Sequence, residues 1–180
     1  MLDEFTKRLR DTVRTIPDFP IEGIQFRDIT PVLSNGKLLS EITDRFVKEM
    51  KERNWQPDVV VGPESRGFIF GALLAAKLGI AFVPVRKPGK LPHSIIREEY
   101  SLEYGTNIME IHEDAISTGQ KVVIIDDLLA TGGTVRACHK LCNRLQADII
   151  GNLFVIELEG LGGSESLDLT ESVSLVKFPA

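Results

Sequence analysis

The residues from Val122 to Thr134 combine carboxylates, glycines and threonines in an order that suits a phosphorylated sugar, and they read VVIIDDLLATGGT. The apolar run Val122–Ile125 predicts a buried strand that delivers Asp126 and Asp127 to the carboxyl end of a sheet, where ligands bind in open α/β folds. Small residues follow, and their backbone N–H groups and hydroxyls suit a phosphate at the start of the next helix. The candidate phosphate-binding residues are Ala130, Thr131, Gly132, Gly133 and Thr134.

Other phosphate ligands fit this loop less well. It lacks the Gly-Lys-Ser/Thr ending of a triphosphate-binding loop and the G-x-G-x-x-G pattern of a dinucleotide-binding loop. Carboxylates repel a phosphate but accept hydrogen bonds from hydroxyl groups. The motif therefore predicts a sugar phosphate with neighbouring hydroxyls. An acidic turn without a ligand is the less favoured alternative, because Asp-Asp before Thr-Gly-Gly-Thr is an unfavourable sequence for a turn that binds no partner.

The composition of the chain limits the classes of protein to which it can belong. With 180 residues, 43% of them hydrophobic and 26% charged, the chain suits a single globular domain over residues 1–180. A net charge of −5 argues against a nucleic-acid partner. The apolar stretches are too short for a membrane span and the N-terminus lacks a signal peptide, so we expect a cytoplasmic protein. Cys138 and Cys142 share one helix face and are predicted to be reduced thiols.

Strands and helices alternate along most of the chain. Helical spacing predicts a helix near the N-terminus and further helices over Lys37–Arg53, Gly67–Leu78 and Thr134–Leu145. Strands are predicted over Val59–Val61, Ala81–Val85, Lys121–Ile125, Ile149–Ile156 and, weakly, Val173–Phe178. The expected fold is α/β, an open and mostly parallel sheet with helices on both faces. Pro17 and Pro20 predict an extended stretch through Pro31, and residues 86–105 predict a long polar loop.

The run VVIIDDLLATGGT resembles the phosphoribosyl-pyrophosphate binding motif of the type I phosphoribosyltransferases. Four further segments resemble the adenine-specific members of that family: Phe19–Pro31 (FPIEGIQFRDITP), Glu64–Phe68 (ESRGF), Val85–Pro92 (VRKPGKLP) and Tyr100–Gly105 (YSLEYG). The resemblance covers nearly the whole chain. It implies a magnesium-dependent homodimer that converts adenine and phosphoribosyl pyrophosphate into AMP and pyrophosphate. It also implies a small hood over the base from residues 1–35 and a flexible catalytic loop at about 88–105.

The resemblance assigns roles around the donor substrate. Asp126 and Asp127 would accept hydrogen bonds from the ribose hydroxyls, and the residues from Ala130 to Thr134 would wrap the 5-phosphate. Pyrophosphate, which gains charge as it leaves, would be met by Ser65, Arg66, Arg86, Lys87 and Lys90. Mg²⁺ would be held mainly through the substrate. Pro63 departs from the commonest family pattern, directly before a turn whose backbone amides face pyrophosphate in the family.

The resemblance also assigns roles around the base. Phe26 would stack on adenine opposite Leu128, and Arg27 would bind near the base or the substrate phosphates. Glu103 and Tyr104 match the catalytic pair of the family, and a carboxylate near the base suits a general base. A closing loop would keep water away from the reacting sugar.

Two alternatives stay open from the sequence. The first is a transferase for another purine base. The second is a regulatory protein that senses phosphoribosyl pyrophosphate and binds nucleic acid. The regulatory protein requires a basic patch or an added DNA-binding motif, and neither is visible in this acidic sequence.

Overall fold

The computed structural model describes residues 3–101, 106–167 and 170–180. The helices are α1 (Glu4–Thr12), α2 (Thr30–Leu33), α3 (Gly36–Glu52), α4 (Gly67–Leu78) and α5 (Gly133–Arg144), with a 3₁₀ turn at Glu165–Leu167. The strands are β1 (Arg14–Pro17), β2 (Gln25–Asp28), β3 (Val59–Pro63), β4 (Ala81–Val85), β5 (Ile95–Ser101), β6 (Thr106–His112), β7 (Lys121–Leu129), β8 (Asp148–Glu159) and β9 (Ser172–Pro179). Among the described helices, none is long and apolar enough to cross a membrane.

The central sheet has five strands in the order β4-β3-β7-β8-β9, and every neighbouring pair is parallel. This confirms the predicted α/β fold. The chain runs outward from β3 to β4 on one side, and from β7 through β8 to β9 on the other. The carboxyl ends of β3 and β7 therefore flank the point where the strand order reverses, which is where open α/β sheets bind their ligands.

Strand β7 shows how the sheet separates two hydrophobic cores. Val123 and Ile125 lie in the core that also contains Phe46 of α3 and Leu74 of α4. Val122 and Ile124 face the other side, where the core includes residues of α5 and β6 such as Leu141 and Ile111. Successive strand residues point to opposite faces, so a continuous apolar run is required in a strand that is covered on both sides.

Strand β7 is longer than its apolar run predicted. The expected end was Ile125, but parallel pairing with β8 continues from Asp126 opposite Phe154 to Leu129 opposite Glu157. The two aspartates therefore lie within the strand instead of following it. Hydrogen bonds to the neighbouring strand set this boundary, and they do not depend on the polarity of the side chains.

Two hairpins stand where the sequence predicted irregular chain. The predicted loop over residues 86–105 is wrong for Ile95–Ser101, which pairs antiparallel with β6, a strand that the sequence did not predict. Met109 and Ile111 on β6 are buried in the core beside α5. In the N-terminal region, β1 and β2 also pair antiparallel, so the stretch after Pro17 folds back on itself. Pairing with a second segment creates these strands, and a local pattern does not reveal such a partner.

Candidate active site

A cavity of about 440 Å³ lies at the carboxyl ends of β3 and β7. That volume is in the range of small-molecule sites. Among the predicted site residues, its lining includes Ser65, Arg66, Lys87, Asp126, Asp127, Leu128, Ala130, Thr131, Gly132, Gly133 and Thr134. The structure thus brings together most of the residues that were assigned to the donor substrate, and we call this space the donor cavity.

The backbone of the predicted phosphate-binding loop from Ala130 to Thr134, which we call the phosphate loop, is held by residues that do not line the donor cavity. The carbonyl oxygen of Thr131 accepts hydrogen bonds from Arg136 Nη1 at 2.9 Å and from Ser166 Oγ at 3.1 Å. Gly132 has a φ of +79°, and a Cβ there would lie 2.2 Å from Ser166 Oγ, so the position requires glycine. A carbonyl oxygen would repel a phosphate, and these two hydrogen bonds occupy the Thr131 oxygen. The first turn of α5 is left to offer N–H groups to an anion.

The two aspartates of β7 are fixed by different partners. Asp126 Oδ1 accepts a hydrogen bond from the backbone N–H of Asp127 at 2.8 Å. Asp127 Oδ2 accepts one from Arg66 Nε at 2.5 Å. Burial, followed by repulsion from Asp127, raises the pKa of Asp126 well above its usual value. Hydrogen bonds donated by sugar hydroxyls would stabilise the charged forms of these two neighbouring acids.

Arg66 is bound tightly in this arrangement. Burial lowers the pKa of Arg66, but attraction to Asp127, Asp126 and Asp28 outweighs that effect and raises it overall. The guanidinium therefore stays charged beside the donor cavity. It is half-exposed, so part of it remains accessible to an anionic ligand.

The turn after β3 places the other predicted cations. Its Glu64–Ser65 peptide bond is cis. Glu64 Oε2 accepts hydrogen bonds from the Lys87 backbone N–H and from Arg86 Nε, both at 3.1 Å. The Lys87 bond is the main reason that the pKa of Glu64 is lowered. Lys87 lines the donor cavity, whereas Arg86 and Lys90 stand beside it near Glu64.

A second cavity of about 370 Å³ adjoins the donor cavity and is mostly apolar. Its lining comprises Ile16, Phe19, Phe26, Arg27, Asp28, Ile29, Thr30, Leu33 and Arg66. Phe26 meets Phe19 edge-on, with ring centroids 5.1 Å apart. We call this space the hood cavity. Leu128 lines the donor cavity and Phe26 the hood cavity, so the two predicted walls of the base site are in adjoining spaces that share Arg66.

The side chain of Arg27 is directed toward the C-terminal strand. Its guanidinium donates to Thr15 Oγ1 at 2.6 Å and to the Pro179 carbonyl at 3.0 Å. It also lies over the Phe178 ring, 4.7 Å from the centroid. Arg10 lies over the same ring at 4.8 Å. Burial, with a contribution from Arg10, lowers the pKa of Arg27. The guanidinium thus fastens the β1–β2 hairpin to β9.

The predicted catalytic pair, Glu103 and Tyr104, lies outside the described residues. The structure adds residues that sequence reasoning missed, since Tyr100, Asn107 and Met109 also line the donor cavity. Tyr100 begins the segment YSLEYG, which gave a signal for it. Asn107 and Met109 belong to the unpredicted strand β6, and no sequence signal pointed to them.

The chain matches the family model described as "Phosphoribosyl transferase domain" over residues 29–158, a stretch that includes β3, β7 and the loop from Ala130 to Thr134. An adenine phosphoribosyltransferase of Lachnoclostridium phytofermentans is 50% identical over 172 residues, which cover 96% of this chain and 98% of the relative. An adenine phosphoribosyltransferase of Francisella tularensis subsp. novicida is 48% identical over 170 residues, covering 94% and 97%. The chain belongs to the adenine phosphoribosyltransferase family.

Crystal structures of other members have the same fold. The adenine phosphoribosyltransferase of Thermoanaerobacter pseudethanolicus superposes with a TM-score of 0.92 at 48% identity, covering 96% of this chain and 99% of the other. The enzyme of Saccharomyces cerevisiae, solved with adenine and an imino-altritol bisphosphate, gives 0.91 at 39% identity, covering 95% and 98%. The likeness extends over almost the full length of each chain.

Proposed function

We propose that this protein salvages free adenine by transferring to it the 5-phosphoribosyl group of phosphoribosyl pyrophosphate, which gives AMP and pyrophosphate. The observation that carries the proposal is the donor cavity. There a phosphate loop, two aspartates and Arg66 surround one space, next to an apolar cavity that contains Phe26. The solved yeast relative, whose crystals contain adenine, supports the choice of base.

The donor cavity suits the two ends of a ribose 5-phosphate. The 5-phosphate is assigned to the loop from Ala130 to Thr134, where the N-terminus of α5 favours negative charge. The ribose hydroxyls are assigned to Asp126 and Asp127, whose carboxylates accept hydrogen bonds but repel phosphates. The phosphate is therefore directed to one end of the cavity and the sugar hydroxyls to the other.

The leaving group is assigned to the positive side of the donor cavity. The bond from the anomeric carbon to a pyrophosphate oxygen breaks, and its electron pair stays on pyrophosphate. Arg66 and Lys87 line the cavity together with Ser65. Arg86 and Lys90 supply further positive charge beside it. Cations that are already in place stabilise charge as it develops, without the cost of reorganising water.

The base is assigned to the junction of the two cavities. Phe26 offers a flat apolar face, and Leu128 offers a second apolar surface from the donor cavity. A ring nitrogen of adenine forms the new bond to the anomeric carbon and loses its proton. We assign that proton to Glu103 as general base, with Tyr104 beside it, on the resemblance of the segment YSLEYG.

The donor set fits a magnesium ion that arrives with the substrate. Among the described residues, no group of three or more His, Cys, Asp or Glu side chains is close enough to form a dedicated metal site. Mg²⁺ commonly binds through one or two carboxylates, substrate phosphates and water, and Asp126 and Asp127 can provide that many. When bound, the ion would neutralise charge on pyrophosphate.

The assembly and location of the protein follow from the resemblance. We propose a homodimer in the cytoplasm. Light scattering of the purified chain would give a mass of about twice 20.0 kDa for a dimer. A monomeric mass with full activity would contradict the dimer without affecting the assigned reaction.

An activity screen tests the proposed function directly. The purified protein, incubated with phosphoribosyl pyrophosphate, Mg²⁺ and one purine base at a time, should form a nucleotide with adenine. Turnover with hypoxanthine or guanine but not adenine would overturn the base assignment and leave the class of reaction intact. Salt-sensitive binding to nucleic acid without any turnover would instead favour the regulatory alternative.

A further inference from the structure

Tyr100 connects the β5–β6 hairpin to the phosphate loop. Its hydroxyl lies 3.3 Å from Thr134 Oγ1, a hydrogen-bond distance at which either oxygen can donate. One edge of its ring contacts Gly133, where an added Cβ would lie 3.3 Å from Tyr100 Cδ2. The side chain also lines the donor cavity. Tyr100 thus covers the same turn of α5 that we assign to the 5-phosphate.

Separate contacts hold β5 along α5 at a distance from the cavity. Lys140 Nζ pairs with Glu98 Oε1 at 2.8 Å. Arg144 Nη1 donates to the Arg97 carbonyl at 2.6 Å. Lys140 and Arg144 lie about two and three turns farther along α5 than Thr134. The position of the hairpin therefore does not depend on the phenol of Tyr100 alone, and the hydroxyl is available for another role.

We propose that Tyr100 binds the 5-phosphate, its hydroxyl donating to a phosphate oxygen beside the Thr134 hydroxyl; this rests on the proposed function. A phosphate oxygen that accepts from Thr134 lies about 2.7 Å from Thr134 Oγ1. The Tyr100 oxygen is 3.3 Å from that same atom, so both hydroxyls can reach one phosphate by rotation alone. Before the substrate binds, the two hydroxyls satisfy each other.

The chemistry of a phenol suits this position. A phenol donates a hydrogen bond without adding positive charge. It therefore strengthens binding of the 5-phosphate without creating a second cationic site that would compete for pyrophosphate. The positive groups Arg66 and Lys87 remain the features that distinguish the pyrophosphate end of the cavity.

The test compares Tyr100→Phe with the matched variant Glu98→Gln. Loss of one hydrogen bond to a charged group should weaken binding of ribose 5-phosphate about tenfold in Tyr100→Phe, measured by calorimetry. The KM for phosphoribosyl pyrophosphate should rise similarly, while pyrophosphate binding and the KM for adenine stay within about twofold. Glu98→Gln removes the ion pair with Lys140 but keeps the phenol, so its ribose 5-phosphate affinity should match the wild type.

The outcomes separate the possible explanations. Wild-type affinity for ribose 5-phosphate in Tyr100→Phe would overturn the proposal. Equal losses in Tyr100→Phe and Glu98→Gln, or equal losses for ribose 5-phosphate and pyrophosphate, would mean that docking of the hairpin matters and the phenol does not. A wild-type protein that neither binds ribose 5-phosphate nor forms AMP would contradict the proposed function itself.

Discussion

The donor cavity and the hood cavity are built in different ways. Much of the donor cavity comes from the continuous run from Asp126 to Thr134. The hood cavity depends on contacts between distant parts of the chain, since Arg27 bonds the carbonyl of Pro179, 152 residues away. Arg10 likewise bonds the carbonyl of Lys177, 167 residues away. The lining of the donor cavity therefore comes largely from one local segment, whereas the hairpin that lines the hood cavity is held by contacts with the C-terminal strand.

The two cavities also differ in charge. The donor cavity is lined by Asp126, Asp127, Arg66 and Lys87, so we expect ligand binding there to depend on ionic hydrogen bonds. The hood cavity is lined mainly by apolar surface around Phe26. Changes in the first should therefore act on phosphoribosyl pyrophosphate, and changes in the second should act on adenine.

The largest effect is expected at Asp127. Asp127→Asn removes the charge that pairs with Arg66 and weakens acceptance of ribose hydroxyls. Because each hydrogen bond to a charged group contributes about 1.5–3 kcal/mol, we expect kcat/KM for phosphoribosyl pyrophosphate to fall about a hundredfold. Steady-state kinetics would measure this, with the KM for adenine as the internal control. A comparable rise in the adenine KM would contradict the division.

A smaller effect is expected at Phe26. Phe26→Ala removes the ring that we assign to stacking on adenine, and the adenine KM should rise about tenfold. Phe26→Leu keeps apolar volume but loses the flat face, and it should recover only part of the loss. The KM for phosphoribosyl pyrophosphate should not change. Full recovery in Phe26→Leu would show that Phe26 only packs and does not stack on the base.

A still smaller effect on adenine binding is expected when the contact between the β1–β2 hairpin and β9 is weakened. Phe178→Leu removes the ring beneath Arg10 and Arg27, and a cation–π contact contributes about 0.5–1 kcal/mol at such sites. We expect the adenine KM to rise about threefold, because the hairpin that carries Phe26 is held less firmly. Phe178→Tyr keeps the ring and should behave as wild type. An effect confined to the KM for phosphoribosyl pyrophosphate would refute this coupling.

The smallest effect is expected for the contribution of Asp28 to the free energy of unfolding at low pH. Asp28 accepts hydrogen bonds from the Thr30 hydroxyl and backbone N–H and from Arg14, which lower its pKa from 3.8 to about 2. The resulting stabilisation is complete above the unfolded pKa of 3.8 and is lost as the pH falls through about 2.

Denaturant unfolding between pH 5 and pH 2 measures the contribution of Asp28. The difference in free energy of unfolding between wild type and Asp28→Asn should shrink as the solution becomes more acidic. A difference that is constant with pH would show that the carboxyl charge does not stabilise the hood. Adenine binding at neutral pH should weaken in the variant more than binding of ribose 5-phosphate does.

The sequence by itself determined the parallel sheet and the run of residues that lines much of the donor cavity. The apolar run Val122–Ile125, the adjacent aspartates and the glycines of the loop act locally, through side-chain alternation, hydrogen-bond chemistry and backbone freedom. The helices α3, α4 and α5 were predicted to within one or two residues for the same reason. Features that depend on neighbours in the sequence can be read from the sequence.

The tertiary structure alone decided the features that need a distant partner. The hairpin of β5 and β6 exists because two segments pair and Met109 and Ile111 of β6 are buried in the core beside α5. The end of β7 is set by β8, and the direction of the Arg27 guanidinium is set by Thr15 and Pro179. Hydrogen bonds between strands and contacts between chain ends leave no local periodicity in the sequence, so they appear only when the chain has folded.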